Sequence, residues 1–570
     1  MKLTGAEILW ECLLREGVDL IFGYPGGAIL PAYDAMTKYP QLHHVLVRHE
    51  QGAAHMADGY ARATGKVGVA VATSGPGATN LVTGIATAML DSSPIVCITG
   101  QVPSSVIGSD AFQEIDITGI TLPITKHNYL ITDVDEVMPT VREAFHIARS
   151  GRPGPVLIDI PKDIQIATTE FNYPKEPLKL PNERPIEKAS QERIKQVLDM
   201  IQSANRPLIL AGHGITLGSA EKELLKFAEK GHIPVALTLL GKGTMPEGHP
   251  LCLGMMGMHG AAHVNLAIQE ADLLLAFGMR FDDRVTGDLR TYAQNSRKVH
   301  IDIDASEINK NVKVDIGIVG NLADVIKQLT PKMKPKKHQQ WLDEIASWKD
   351  EGSLRDIYQQ NPNQKLYAAH VIRDLWEYTG GECFIVTDVG QHQMWEAQYY
   401  HHNRPRTLIT SGGLGTMGFG VPAAIGASLG LKNQEVWAIV GDGGFQMTMT
   451  ELATAVEQKA NVTIAIMNNS YLGMVRQWQE FFYEERYHAT PMGSPDFCKL
   501  AEAYSIPNLR VTRRNQIEDS VKFARSYKKG PVLIEYVVEK HDIVYPMVPA
   551  GAALHNMIRR PVEAAASDKE

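Results

Sequence analysis

The chain has little cysteine chemistry to offer. Its five cysteines, Cys12, Cys97, Cys252, Cys383 and Cys498, lie far apart in 570 residues. That spacing excludes a disulfide framework and a zinc pattern and suits a reducing compartment. Each is expected to be a small buried hydrophobe. Basic excess is also lacking: 56 Lys and Arg against 64 Asp and Glu give a formal charge of −8. Nucleic-acid binding normally needs a basic face, so no such partner is expected. No apolar run approaches the ~18 residues of a membrane span. The chain opens without a basic segment leading into an apolar one. It begins instead on Thr4-x-x-Glu7, a capping box whose helix should end at Gly17. No signal peptide is therefore expected, and the reading is a soluble, cytoplasmic protein without a membrane partner.

What is present is a large apolar fraction, 44%, enough for a substantial core. At roughly 150 residues per domain, three or four domains are expected. Short β-rich runs alternate with helical stretches: Val67–Ala72, Ile95–Thr99 and Val156–Ile160 first, then Pro207–Ala211, Ile233–Leu237, Asp272–Phe277 and Val299–Ile303. Such alternation implies an α/β chain of doubly wound parallel sheets, here three of them. The domains are expected at residues 1–167, 190–335 and 366–545, with a C-terminal lid or tail at 546–570. Residues 168–190, rich in Pro, Lys and Glu, read as a linker, and the charged stretch 331–365 as a helix plus linker. A weak internal echo pairs Thr73–Gly77 after one strand with Ser411–Gly415 after another.

The stretch Trp437–Met474 carries the most chemistry. An apolar run breaks at Gly441-Asp442-Gly443-Gly444, a helical stretch follows, and a second run, Val462–Met467, breaks at Asn468-Asn469. In a βαβ unit both breaks fall at the carboxyl ends of parallel strands, where open α/β sheets bind ligands. Asp442 and Asn469 offer hard oxygens beside bare glycine backbone, which suits Mg²⁺ carrying a diphosphate. A Gly-Asp-Gly turn alone is a common loop; the second strand ending in Asn-Asn makes the pattern resemble the metal motif of thiamine-diphosphate (ThDP) enzymes. In that motif Asp442, Asn469 and the Tyr471 carbonyl ligate the metal.

ThDP chemistry also needs a carboxyl group on the aminopyrimidine ring, to promote loss of the thiazolium C2 proton. Glu50, in Arg48-His-Glu50-Gln-Gly-Ala-Ala-His, is the candidate; its bland reading is a helix-N-terminal acid. The run Ser411–Val421 is glycine-rich around Met417, a candidate wedge that bends the cofactor, with the Gly415 carbonyl as acceptor. Val389-Gly390-Gln391-His392 ends another strand and should touch the cofactor. In the middle domain, Gly212-His213-Gly214, Gly278 and Asp302 at strand ends suit a dinucleotide, although no full GxGxxG is present.

Taken together, the motifs GYPGGAILPAYDA, RHEQGAAHMADGYARATGKVG, SGPGATNLVTGIATA, GMRFDDRVTG, GQHQMWEAQYY, SGGLGTMGFGVPAAIGA and NNSYLGMVRQWQ resemble the acetohydroxyacid synthase (acetolactate synthase) large catalytic subunit over about residues 1–550. The resemblance implies condensation of two pyruvates to 2-acetolactate, or of pyruvate with 2-oxobutyrate to 2-aceto-2-hydroxybutyrate, with release of CO₂, early in branched-chain amino-acid biosynthesis. The ThDP ylid attacks pyruvate and the thiazolium serves as electron sink. Residue by residue, the resemblance makes Glu50 the activating acid. It places Gly27, Ala28, Phe112, Gln113 and Lys162 near the reacting centre. It puts Val389, Gly390, Gln391, His392, Gly415, Met417, Gly441, Asp442, Gly443, Gly444 and Met474 on ThDP. Arg284, Met258 and Trp478 would meet the second substrate, Arg284 by its carboxylate and Trp478 by favouring 2-oxobutyrate. An FAD without net redox work would contact Arg152, Gly212, His213, Gly214, Thr238, Leu239, Met258, His259, Gly278, Arg280, Arg284, Val285, Asp302, Ile303 and Asn321. Asn321 stands where the family usually has Asp, and brings no charge. A homodimer or homotetramer is implied, its catalytic site between the first domain of one subunit and the third of another, with a small regulatory subunit as further partner. Alternatives are an FAD-independent catabolic acetolactate synthase, a ThDP/FAD pyruvate oxidase, and a non-catalytic scaffold.

Overall fold

The computed structural model describes residues 1–174, 176, 178–180, 188–353 and 365–561. The sequence readings for 354–364, for most of the 168–190 linker after residue 180, and for the tail 562–570 lie outside the described residues. Strands β1 (Lys2–Thr4), β2 (Leu20–Gly23), β3 (His43–Leu46), β4 (Gly68–Ala72), β5 (Ile95–Gln101), β6 (His127–Leu130), β7 (Val156–Pro161) and β8 (Thr168–Glu170) come first. Then follow β9 (Pro207–Ala211), β10 (Val235–Leu237), β11 (Cys252–Met255), β12 (Leu273–Phe277), β13 (Arg297–Asp302) and β14 (Ile316–Val319). The last series is β15 (Phe384–Thr387), β16 (Leu408–Ile409), β17 (Val436–Gly441), β18 (Val462–Asn468), β19 (Asn508–Val511) and β20 (Val532–Val537).

Among the described residues these build three six-stranded sheets, β3-β2-β4-β5-β7-β6, β11-β10-β9-β12-β13-β14 and β16-β15-β17-β18-β20-β19. Every pairing within them is parallel, as the alternation predicts. Parallel strands need crossovers, and the intervening helices cover both faces, so the inner strands are buried while edge strands such as His43–Leu46 and His127–Leu130 are partly exposed. The Thr4–Glu7 capping box is formed and its helix, Gly5–Arg15, is followed by Gly17 at a φ of 81°. One boundary differs from the expectation. Thr168–Glu170 is no linker; it pairs antiparallel with Lys2–Thr4 and ties the chain back to its start. No helix among the described residues is long and apolar enough to cross a membrane.

Sheet order corrects the internal echo. The first and third sheets share one order, in which the second strand flanks the first and the sixth lies inside the fifth. The echoed turns do not correspond within it. Thr73–Gly77 follows β4, third in its domain, while Ser411–Gly415 follows β16, second in its own. By topology Thr73–Gly77 matches Gly441–Gly444, and Ser411–Gly415 matches Arg48–Glu50. The middle sheet instead has the 3-2-1-4-5-6 order of dinucleotide-binding folds.

The first and third domains share one apolar core, in which Phe22, Val45 and Ala70 join Val386, Ala438 and Ile464. Its centre is the crossing of helices Glu50–Thr64 and Gly420–Gly430. A Cβ on Gly59 would collide with the Ala423 carbonyl, and one on Gly426 with the Met56 carbonyl. Only glycine permits backbones this close. Gly426→Ala should therefore cost about 1–3 kcal/mol by overpacking, read as a lowered thermal midpoint.

At the end of β7, Asp159 is 1% exposed and accepts from Thr99 Oγ1 at 2.7 Å and Gln101 Nε2 at 2.9 Å. Gln101 also donates to the Ile115 carbonyl, at the base of the loop carrying Phe112 and Gln113. Burial pushes the Asp159 carboxyl up to about 7, against the two hydrogen bonds. The native chain thus holds a proton that an unfolded aspartate, at about 3.9, has released. This contribution to stability is complete below about pH 4 and is lost as pH rises through about 7. Calorimetric melts of Asp159→Asn should gain on the parent between pH 5 and pH 8.

Candidate active site

The third domain supplies a cleft at its switch point, between β15 and β17, where neighbouring strands send their crossovers to opposite faces. Val389–His392 leaves β15 and Gly441–Gly444 leaves β17. Gly390 has a φ of 151°, and a Cβ on Gly441 would sit 2.9 Å from the His392 ring. His392 is buried, and its Nε2 has no hydrogen-bond partner among the described residues. Burial pushes the imidazole down to about 4, so this atom is a neutral, unsatisfied group facing the turn. Asp442 is 1% exposed and accepts from Ser494 Oγ at 3.2 Å. Burial pushes its carboxyl up to about 6, against the Ser494 hydrogen bond. Asn469 lies beside it after β18, its Oδ1 accepting from Tyr471 N–H at 3.1 Å. Val389–His392, Met417, Gly441–Gly444, Asn469, Tyr471 and Met474 line one small cavity. Gly415, with a φ of 71°, sits at its mouth near Val389.

Two buried carboxylates hold this cleft in shape. Asp388 accepts from Gly418 N–H at 3.0 Å and Gly420 N–H at 2.8 Å, and Gly444 leaves room for it. Asp91, reaching in from the first domain, accepts from Gly412 N–H at 3.0 Å and Gly413 N–H at 2.7 Å. Arg62 binds Asp91 at 2.9 Å, Asp58 at 2.6 Å and the Thr410 carbonyl at 2.7 Å. The segment carrying Gly415 and Met417 is thereby clamped by charge from another domain.

A cavity of about 910 Å³ continues from this cleft into the middle domain, with Val389, Gly390, Met417, Met474 and Val475 shared. His213, Gly214, Thr238, Leu239, Met258, His259, Gly278, Arg280, Arg284, Val285, Asp302, Ile303, Asn321, Arg152 and Trp478 all line it. Gly212 does not; its bare Cα packs on Gly278 and Met279 at the end of β12 and lets the two strand ends close up. Asp302, pushed up to about 6 by burial, accepts from Asp304 N–H at 2.9 Å. Arg152 is held by Ser92 and Glu307, each at 2.8 Å, and by Asp304 at 3.3 Å. Asn321 caps the Leu322–Lys332 helix, its Oδ1 accepting from Asp324 N–H at 3.2 Å, a task that needs no charge. Arg284 reaches Met258 Sδ at 3.5 Å, and its nearest carboxylate, Asp283, is 3.9 Å away on the surface.

The remaining candidates gather elsewhere. Glu50 opens its helix and accepts from Asn80 Nδ2 at 2.9 Å. Glu451 of the third domain steadies that helix start, accepting from Arg48 N–H and His49 N–H, each at 3.0 Å. Gly27 faces open space, while Ala28 N–H donates to Thr73 Oγ1 at 3.3 Å. Gly75 has a φ of 60° and leaves room for Gln113, itself at 61°. Phe112 is 88% exposed, and Lys162 begins a short helix at the rim. None of these lines either cavity of the same chain. Of the cysteines, Cys12, Cys97 and Cys383 are buried as expected; Cys252 and Cys498 are only partly so.

Sequence reasoning missed Asp91, Asp388, Glu451 and Gln477. Asp91 and Glu451 order main-chain amides more than 300 residues away, so no local spacing could mark that task.

The description "Thiamine pyrophosphate enzyme, N-terminal TPP binding domain" matches residues 3–120, "central domain" 194–329 and "C-terminal TPP binding domain" 388–536. The fold and cleft are those of a thiamine pyrophosphate enzyme. The acetolactate synthase large subunit of Corynebacterium glutamicum is 46% identical over 562 residues, covering 97% of this chain and 89% of that protein. That of Lactococcus lactis subsp. lactis is 46% identical, covering 97% and 96%. A probable acetolactate synthase large subunit of Methanocaldococcus jannaschii is 46% identical, covering 98% and 95%. The chain belongs to the acetolactate synthase large-subunit family.

Removing the Asp91 carboxylate should leave Arg62 undercompensated and two glycine amides unpaired. Asp91→Ala is expected to destabilise the chain by about 3–5 kcal/mol and to weaken ThDP binding, measured by thermal unfolding with and without cofactor.

Proposed function

We propose that this chain condenses pyruvate with a second pyruvate, or with 2-oxobutyrate, releasing CO₂ and forming an acetohydroxy acid. The observation that carries the reading is the joined pair of cavities. A cleft fitted to a metal diphosphate opens directly onto a chamber that presents Arg284, Met258 and Trp478. The unsatisfied His392 Nε2, the buried Asp442 carboxyl group and the bare Gly441–Gly444 backbone fit Mg²⁺-ThDP. Asp442, Asn469 and the Tyr471 carbonyl would hold the cation. Bound there, ThDP supplies the nucleophilic carbon and the electron sink for CO₂ loss. Met417 and the Gly415 carbonyl would shape and orient the bent cofactor. Glu50 would hold a proton at the pyrimidine ring. Arg284, whose nearest carboxylate is the exposed Asp283 at 3.9 Å, would take the acceptor's carboxylate through a planar guanidinium.

The dinucleotide strand order, the glycine contacts at Gly212, Gly214 and Gly278, and Asp302 at a strand end fit FAD in the larger cavity. Asn321 does not count against it, since its amide serves the helix cap. Glu50, Gly27 and Gln113 lie apart from their own chain's cleft, and Phe112 is bare. Both features support a homodimer, or a tetramer of such dimers, in which the partner's first domain completes each site. The relatives' name as large subunits supports a smaller regulatory partner. The cytoplasm is the proposed location.

The test offers the purified chain both 2-oxo acids with ThDP and Mg²⁺, with and without FAD. Acetohydroxy acid should form without oxygen uptake. Oxygen consumption would favour an oxidase, and full activity without FAD a catabolic synthase. Glu50→Gln should lower turnover by at least ~10²-fold. Mixing inactive Glu50→Gln and Asp442→Ala chains should restore activity, because a mixed dimer holds one intact site; silence of the mixture would sink the shared-site reading.

A further inference from the structure

We propose that Gln391 and Gln477 are positioning residues that fix which atom of Asn469 faces the cation, and that the C-terminal segment at Asp542–Val544 sets their orientation. The inference rests on the Mg²⁺-diphosphate reading of the cleft. A side-chain amide has one oxygen and one nitrogen of nearly equal shape, and only its neighbours decide which points where. Asn469 must offer oxygen, not nitrogen, to a metal.

The neighbours decide from two ends. Val544 N–H can only donate, and its partner at 2.9 Å is Gln477 Oε1. The Asp542 main-chain carbonyl can only accept, and its partner at 3.0 Å is Gln391 Nε2. These assignments agree, because Gln391 Nε2 also donates to Gln477 Oε1 at 3.0 Å. Gln391 Oε1 is then the acceptor left for Asn469 Nδ2, at 3.3 Å. Asn469 Oδ1 is turned away from Gln391, where it accepts from Tyr471 N–H at 3.1 Å and keeps a second lone pair for a cation.

Two features lock the chain of amides. Gln391 is 4% and Gln477 0% exposed, so water has little access to substitute for a lost partner. Reversing Gln477 would set its Nε2 against Val544 N–H, two donors face to face. Gly473 provides the space: a Cβ there would collide with Gln391 Oε1 and lie 2.6 Å from Asn469 Nδ2. The same C-terminal segment continues to the substrate chamber, where Val548 N–H donates to the Met258 carbonyl at 2.8 Å. Docking of this segment and readiness of the cation site are therefore one event.

The test follows Mg²⁺-dependent ThDP binding to the full-length chain by titration calorimetry. Gln391→Met keeps the bulk and removes both hydrogen-bonding ends. It should weaken the Mg²⁺ affinity by about tenfold or more, the usual scale for residues that orient a ligand. In an Asn469→Asp chain the two carboxylate oxygens are equivalent, so orientation no longer matters. There Gln391→Met should cost several-fold less than it does beside Asn469, and this failure of additivity is the signature of the relay. Equal losses in both backgrounds, or no loss with Asn469 present, would overturn it. Gln477→Met, one amide further out, should shift the affinity in the same direction with an unchanged far-ultraviolet spectrum; an unchanged affinity would also count against the relay. Full Mg²⁺ affinity in Asn469→Ala would instead remove the cation assignment beneath it.

Discussion

The crossing of helices Glu50–Thr64 and Gly420–Gly430 is the constraint on which the active-site architecture depends. Carbonyls of Met56 and Ala423 occupy the space where Gly426 and Gly59 would carry side chains. Contact this close fixes both the spacing and the angle of two domains with the same sheet order. It also fixes where their switch points look. The Val389–His392 and Gly441–Gly444 turns line a cleft joined to the middle domain's cavity, and Gly27 and Glu50 line neither.

Charge then holds backbone where packing alone would leave glycine loops free. Asp91 and Asp388 each accept from consecutive or near-consecutive glycine amides on either side of Met417. Glu451 does the same for the amides that lead into Glu50. Glycine-rich segments lose more conformational freedom on folding than others. A buried carboxylate that gathers their N–H groups compensates its own desolvation and orders the loop at once. Low side-chain bulk beside the cofactor and firm placement of that backbone are thus reconciled.

Much of this was legible in the sequence, because parallel strands announce themselves. Pro207–Ala211 was readable to the residue, and Asp442 with Asn469 needed only two strand ends and one helical stretch to be placed side by side. The echo between Ser-Gly turns paired the right two domains but the wrong turns, because turn composition repeats after many parallel strands while strand order is invisible in a single sequence. Thr168–Glu170 looked like a linker because a three-residue edge strand has too little pattern to register. Asp91, Glu451 and Gln477 were silent for a different reason. Each binds main-chain groups far away in the chain, which have no residue identity for a motif to display.

Helix Glu50–Thr64 joins these themes. Glu50 and Arg62 are twelve residues apart, about 18 Å along a helix at ~1.5 Å per residue. The Glu50 end lines neither cavity of its own chain. The Arg62 end, through Asp91, clamps Gly412 and Gly413 above its own chain's cleft. Every residue from Gly52 to Ala63 is buried, and a helix so enclosed transmits displacement rather than absorbing it. In a paired assembly, one rigid element would therefore supply the acid of one site and the loop clamp of the other. A change that moves this helix along its axis must alter both sites together.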